Sequence, residues 1–161
     1  MNVLDIMTTN PITIRADQVL RAAIEKMQVH HCKHLPVMST SSHLVGVISD
    51  RDCRHALNSP YILREKWQDE KLANSLQVRA VMTAAPIIVE PDAGADEAAR
   101  LMLTHRIGCL PVMRGETLVG IITRSDLLVA FMTMHKHYES LLQRTSIMSN
   151  ATGHGCYQRP M

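Results

Sequence analysis

Apolar positions along the chain follow two rhythms, and the same succession of rhythms occurs twice. Residues 12–14 (Ile-Thr-Ile) form a short strand-like run after Pro11, and 87–89 (Ile-Ile-Val) form another after Pro86. Val19, Leu20, Ala23, Ile24 and Met27 then recur at spacings of three and four, which predicts one buried helix face. Asp17 stands where an N-cap is expected, as Asp92 does before the helix carrying Leu101 and Met102. "LPV" at 35–37 and 110–112 opens a strand, a polar turn follows, and "LVGVI" (44–48) or "LVGII" (118–122) makes the next strand. Ser49 and Thr123 then start a second helix. The predicted unit is β-α-β-β-α, written twice, and the fold class is α/β (α+β).

The two passages align as a repeat. "IMTTNPITI" (6–14) lies over "VMTAAPIIV" (81–89), and "HLPVM" (34–38) over "CLPVM" (109–113), at an offset of 75 residues. "LVGVISDRD" (44–52) lies over "LVGIITRSD" (118–126) at 74, because the turn "STSSH" (39–43) is one residue longer than "RGET" (114–117). About fifty residues cannot cover three strands alone, so the copies are expected to pack as one pseudo-twofold module. The predicted organisation is a first repeat at 2–57, a connector at 58–77 with a helical middle, and a second repeat at 78–135. A helix extension and tail follow at 136–161. Leu127, Phe131, Met134, Tyr138, Leu141 and Leu142 continue at helical spacing to near Gln143, a stripe suited to a partner helix. From residue 145 the periodicity stops, which predicts a loosely held tail.

Composition narrows the classes. Apolar residues make up 46% of the 161, but aromatic ones only 3%, so the core is aliphatic and stacking platforms for single-stranded nucleic acid are missing. The net charge is +2 with no basic stripe, which argues against DNA. Cys32, Cys53, Cys109 and Cys156 are far apart, a reduced, intracellular pattern. The opening "MNVLDIMTTNP" has no signal-peptide character and no apolar stretch reaches membrane-spanning length, so a cytoplasmic protein is expected.

The chemistry concentrates in "G-h-h-[ST]-x-x-D", where h is apolar: Gly46 to Asp52, and Gly120 to Asp126. A strand running into a helix N-terminus offers unpaired N–H groups to an anion. The carboxylate can accept hydrogen bonds from a vicinal diol such as ribose. The same atoms also make a capping box, although that motif prefers Glu or Gln to Asp.

The paired "MT..P", "LPV" and "G-h-h-[ST]-x-x-D" elements resemble a tandem of CBS domains, named after cystathionine β-synthase. The resemblance implies a pseudo-symmetric regulatory module that commonly forms homodimers. Between its repeats lie two clefts for adenosine-containing ligands: AMP, ADP, ATP, S-adenosylmethionine or sometimes a dinucleotide. Carried over onto this chain, one cleft joins Thr123 and Asp126 to Thr8, Ile12, Cys32 and Lys33. The other joins Ser49 and Asp52 to Thr83, Ile87, Ile107 and Gly108. Asp would contact the ribose, the hydroxyl the phosphate or ribose side, and the apolar residues the base. Arg51 and Arg124 either neutralise phosphates or sit in solvent. Lys33 against Gly108 makes the clefts unequal, the glycine leaving room and the lysine adding charge.

Other constellations are weaker. "HHCKH" (30–34) suggests zinc, but the strand that begins at Leu35 breaks the spacing that would unite His30 and His34. The chain has no G-x-S-x-G, G-x-x-x-x-G-K-[ST] or H-E-x-x-H, so no enzyme activity and no cofactor are expected. The reading is an adenine-nucleotide sensor that signals, energy sensing included, to an effector protein. The alternatives are a ligand-free scaffold and a metal or redox sensor.

Overall fold

A computed structural model describes residues 1–57 and 66–151, the side chains of 66, 67 and 143–151 excepted. The chain divides into two compact units, residues 1–124 and 125–161. Among the described residues the first contains seven strands and four α-helices: β1 (Thr8–Thr9), β2 (Ile14–Arg15), α1 (Leu20–Val29), β3 (His34–Met38), β4 (Leu44–Ser49), α2 (Asp50–Leu57), α3 (Lys66–Ser75), β5 (Thr83–Ala84), α4 (Ala95–Thr104), β6 (Cys109–Arg114) and β7 (Thr117–Thr123). Helix α5 (Arg124–Ala151) supplies the described part of the second.

The repeats exchange their leading segments. The sheets are ordered β2-β3-β4-β5 and β1-β7-β6, so each repeat's first strand joins the other repeat's hairpin. Val47 faces Thr83 across β4 and β5, and Ile121 faces Thr8 across β7 and β1. The short 3₁₀ turns Val3–Asp5 and Val78–Ala80 cross over in the same way. Val3 N–H donates to the Ala93 carbonyl at 2.9 Å, and Val78 N–H to the Gln18 carbonyl at 2.9 Å. The core of Ile14, Leu20, Ala23, Met27, Leu35, Val37, Ile48 and Cys53 is completed by Val78, with Val81 and Met82 packed against it.

This exchange also starts the helices. Leu20 N–H donates to the Leu76 carbonyl at 2.7 Å, and Ala95 N–H to the Met1 carbonyl at 3.2 Å. A carbonyl from the segment that leads into the other repeat thus satisfies an N–H that a side-chain cap would otherwise serve. The N-cap positions are accordingly Val19 and Gly94, without side-chain caps, rather than Asp17 and Asp92. Asp17 pairs with Arg15 instead, at 2.7 Å.

Both α1 and α4 end alike. His31 and Arg106 take left-handed backbone, with φ of 51° and 56°. Cys32 N–H then bonds the Met27 carbonyl, and Ile107 N–H the Met102 carbonyl, each at 3.1 Å. That is a Schellman closure, which turns the chain into β3 and β6. It spreads His30, Cys32 and His34 over a helix end, a turn and a strand. Among the described residues no three His, Cys, Asp or Glu side chains gather.

The connector is helical over α3, residues 66–75; its stretch 58–65 lies outside the described residues. Helix α5 runs to Ala151, past the end expected near Gln143. Residues 145–151 contain neither Gly nor Pro, and Met148 follows Leu141 at a seven-residue spacing, so nothing local stops the helix there. The expected tail from 152 onward lies outside the described residues. No helix among those described is long and apolar enough to cross a membrane.

Candidate functional site

Strand β4 ends at Ser49 and α2 begins at Asp50, so the Ser-x-x-Asp motif sits at the strand-to-helix corner. Asp52 Oδ2 accepts from Ser49 Oγ at 2.6 Å and from Ser49 N–H at 2.9 Å, while Asp52 N–H donates to Ser49 Oγ at 3.2 Å. The reciprocal bonds are those of a capping box. They use one carboxylate oxygen; Oδ1 accepts no bond from the described residues.

Thr83 lies on β5, opposite Val47 and two residues from Ser49 along the ladder, and is exposed. Ile87 is half-buried on the crossing segment that ends where Val89 bridges Val112. Ile107 and Gly108 follow the Schellman turn, and the Gly108 carbonyl accepts from Arg124 N–H at 3.1 Å. Arg124 Nε donates to the Ile107 carbonyl at 3.0 Å, so its side chain is held by backbone. The space above Gly108 is occupied by His34: a Cβ at 108 would come 2.9 Å from His34 Nε2. The room expected beside this glycine is therefore filled by a neighbouring ring.

In the other set, Thr8 faces Ile121, Ile12 is 37% exposed, Cys32 is half-buried and Lys33 is exposed. The Lys33 carbonyl accepts from Asp50 N–H at 3.0 Å, the counterpart of the Gly108–Arg124 bond. Thr123 faces Cys109 at the end of β7. Asp126 lies in the first turn of α5, within the second unit.

His34, on β3 directly opposite Ser49, is the residue that sequence reasoning passed over. In the sequence it closes "HHCKH" and stands directly before "LPV". Burial holds its pKa below the ordinary histidine value, against the upward pull of Asp50 and Asp52; Lys33 and Arg124 add to the lowering. The buried thiols are poor nucleophiles. Burial pushes Cys53 up to about 11 and Cys109 up to about 12, and the Asp52 charge adds to both shifts.

A cavity of about 540 Å³ opens elsewhere, between the hairpin turns, lined among others by Asn10, Thr13, Met38, His43 and Glu116. None of the predicted site residues lines it.

The CBS domain family model matches this chain twice, at residues 3–59 and 78–133. The chain belongs to the CBS domain family. A CBS domain-containing protein of Dictyostelium discoideum is 32% identical over 127 residues, covering 78% of this chain and 88% of that protein. Among solved structures, CBSX2, a CBS-pair protein of Arabidopsis thaliana, solved with AMP, superposes with a TM-score of 0.70 at 26% identity, covering 83% of this chain and 98% of that one. The CBS domain pair of MJ0100, in complex with 5′-methylthioadenosine and S-adenosyl-L-methionine, gives 0.68 at 27% identity, covering 81% and 99%.

Proposed function

We propose that this CBS pair is a regulatory module that binds an adenosine-containing ligand, AMP, ADP or ATP foremost, and passes the signal to an effector protein. The observation that carries the reading is the Ser49–Asp52 corner. Its Oδ2 is held by Ser49, which fixes the carboxylate, and its Oδ1 remains available to a ribose diol. Thr83, Ile87, Ile107 and Gly108 complete this cleft. Thr123, with Thr8, Ile12, Cys32 and Lys33, lines the other; Asp126 is the second repeat's sequence counterpart of Asp52. The ligands in the CBSX2 and MJ0100 structures share the adenosine moiety, which supports the class. The module acts as a homodimer through α5, carries out no catalysis and works in the cytoplasm.

Thermal unfolding with AMP, ADP, ATP and S-adenosylmethionine tests this directly. A ligand that binds only the native state at a hundred times its Kd adds about 2.7 kcal/mol and raises Tm. If none of the four moves Tm and none gives heat on titration, the chain is a scaffold instead. The double engagement of Asp52 Oδ2 is what that second reading would rest on.

A further inference from the structure

Opposite residues of an antiparallel pair project to the same face, so the His34 side chain stands beside that of Ser49 at the mouth of α2. Its Nε2 lies over the Gly108 backbone, where any side chain at 108 would collide with it. The charged groups that act on the ring come from three segments. Asp50 and Asp52 belong to α2, Lys33 precedes β3, and Arg124 follows β7. Two carboxylates and two cations balance to no net charge, so a single added charge at this point decides the sign of the floor. The equivalent strand position in the second repeat is Cys109, a buried thiol that stays neutral across the ordinary pH range.

We propose that His34 makes the Ser49/Asp52 cleft selective for ligand charge: its imidazole takes a proton from solvent when a phosphate-bearing nucleoside occupies the cleft, and stays neutral when the nucleoside is uncharged. The inference rests on the adenosine-ligand reading of that cleft. A half-buried imidazole that burial keeps neutral when the cleft is empty gains a stabilising partner when an anion arrives at the helix N-terminus beside it. The sign follows from linkage. The ligand raises the pKa of the group, so binding takes up a proton and tightens as pH falls through the neutral range.

Isothermal titration of the full chain with AMP and with adenosine, at about pH 6 and about pH 8 and in two buffers of different ionisation heat, counts the protons taken up. Wild type should take up a proton with AMP but not with adenosine, and its AMP affinity should rise by about tenfold toward the lower pH. The phosphate of AMP titrates near the same pH, with a second pKa of about 6, so the comparison is made against His34→Gln, which shares that background. His34→Gln should lose the proton uptake and bind AMP and adenosine more nearly alike. Imidazole nitrogen NMR of the wild type needs no variant: the His34 pKa should rise on adding AMP and stay put on adding adenosine. If AMP binds but His34→Gln keeps the full proton uptake, or the His34 resonance ignores AMP, the charge-sensing role falls while the cleft stands. If neither AMP nor adenosine binds at either pH, the cleft reading falls and this inference with it.

Discussion

Gly46 packs under Met82: a Cβ on the glycine would lie 2.5 Å from Met82 Sδ and 2.9 Å from the Thr83 carbonyl oxygen. Gly120 stands in the same relation to Met7 and Thr8, at 2.5 and 3.0 Å. The repeated "MT" and the repeated "LVG" are thus two halves of one contact, and the exchange of leading segments makes it. Met82 leans over the first hairpin and Met7 over the second. The thioether can move, but the carbonyl is fixed in the β4–β5 ladder. Gly46→Ala should therefore cost about 1–3 kcal/mol, the range for overpacking, read as a lowered urea midpoint at unchanged m-value. A midpoint within error of wild type would show that the ladder opens without cost.

The exchange also separates the sequence repeat from the folding unit. Residues 1–57 contain the first repeat but lack Val78, which is fully buried, and the Leu76 carbonyl that receives Leu20 N–H. Residues 11–84 contain that whole core, from Ile14 to Met82. Burying a valine side chain alone is worth about 1.5–3 kcal/mol. The 11–84 fragment should melt cooperatively by circular dichroism, and the 1–57 fragment should show no transition. A sigmoidal melt of 1–57 at the same temperature as 11–84 would contradict this.

Much of this architecture is legible in the sequence, because period and repetition survive without any knowledge of contacts. "LPV", the polar turn and the Ser-x-x-Asp corner are local signals and appear where their spacing puts them. The swap is not legible. It is made of backbone hydrogen bonds such as Val3 to Ala93, which any residue type can supply. For the same reason Asp17 and Asp92 looked like caps, while the helices take their first acceptors from Leu76 and Met1. The surroundings of His34 are not legible either, because Gly108 and Arg124 lie more than seventy residues away in sequence.

Helix α5 presents Leu128, Val129, Phe131, Met132, Met134, Tyr138, Leu141 and Leu142 as exposed apolar residues. Among them Phe131, Met134, Tyr138 and Leu141 alternate spacings of three and four, as in a coiled-coil seam, and this seam is the proposed contact with a second copy. Light scattering should give a dimer at micromolar concentration, and Phe131→Glu with Leu141→Glu should give a monomer with unchanged helicity. A monomeric wild type, or a variant that still dimerises, removes α5 as the interface.

Asp52 is proposed to hold the ribose with Oδ1 while Ser49 holds Oδ2, and substitutions can separate the two jobs. Asp52→Ala loses both: the cap, worth about 1 kcal/mol of stability, and the ligand bond. Asp52→Asn keeps an oxygen for Ser49 but removes the charge, so its Tm should stay near wild type. A hydrogen bond to an ionised carboxylate is worth about 1.5–3 kcal/mol, so both variants should weaken adenosine-ligand binding at that cleft roughly ten- to a hundredfold. The ribose role has its own check, since a ligand lacking the 2′-hydroxyl offers the carboxylate one donor fewer. Isothermal titration should show wild type preferring AMP to 2′-deoxy-AMP, and Asp52→Asn losing that preference at its cleft. If wild type binds both ligands equally and Asp52→Ala lowers Tm without touching affinity, the carboxylate is a helix cap and nothing more.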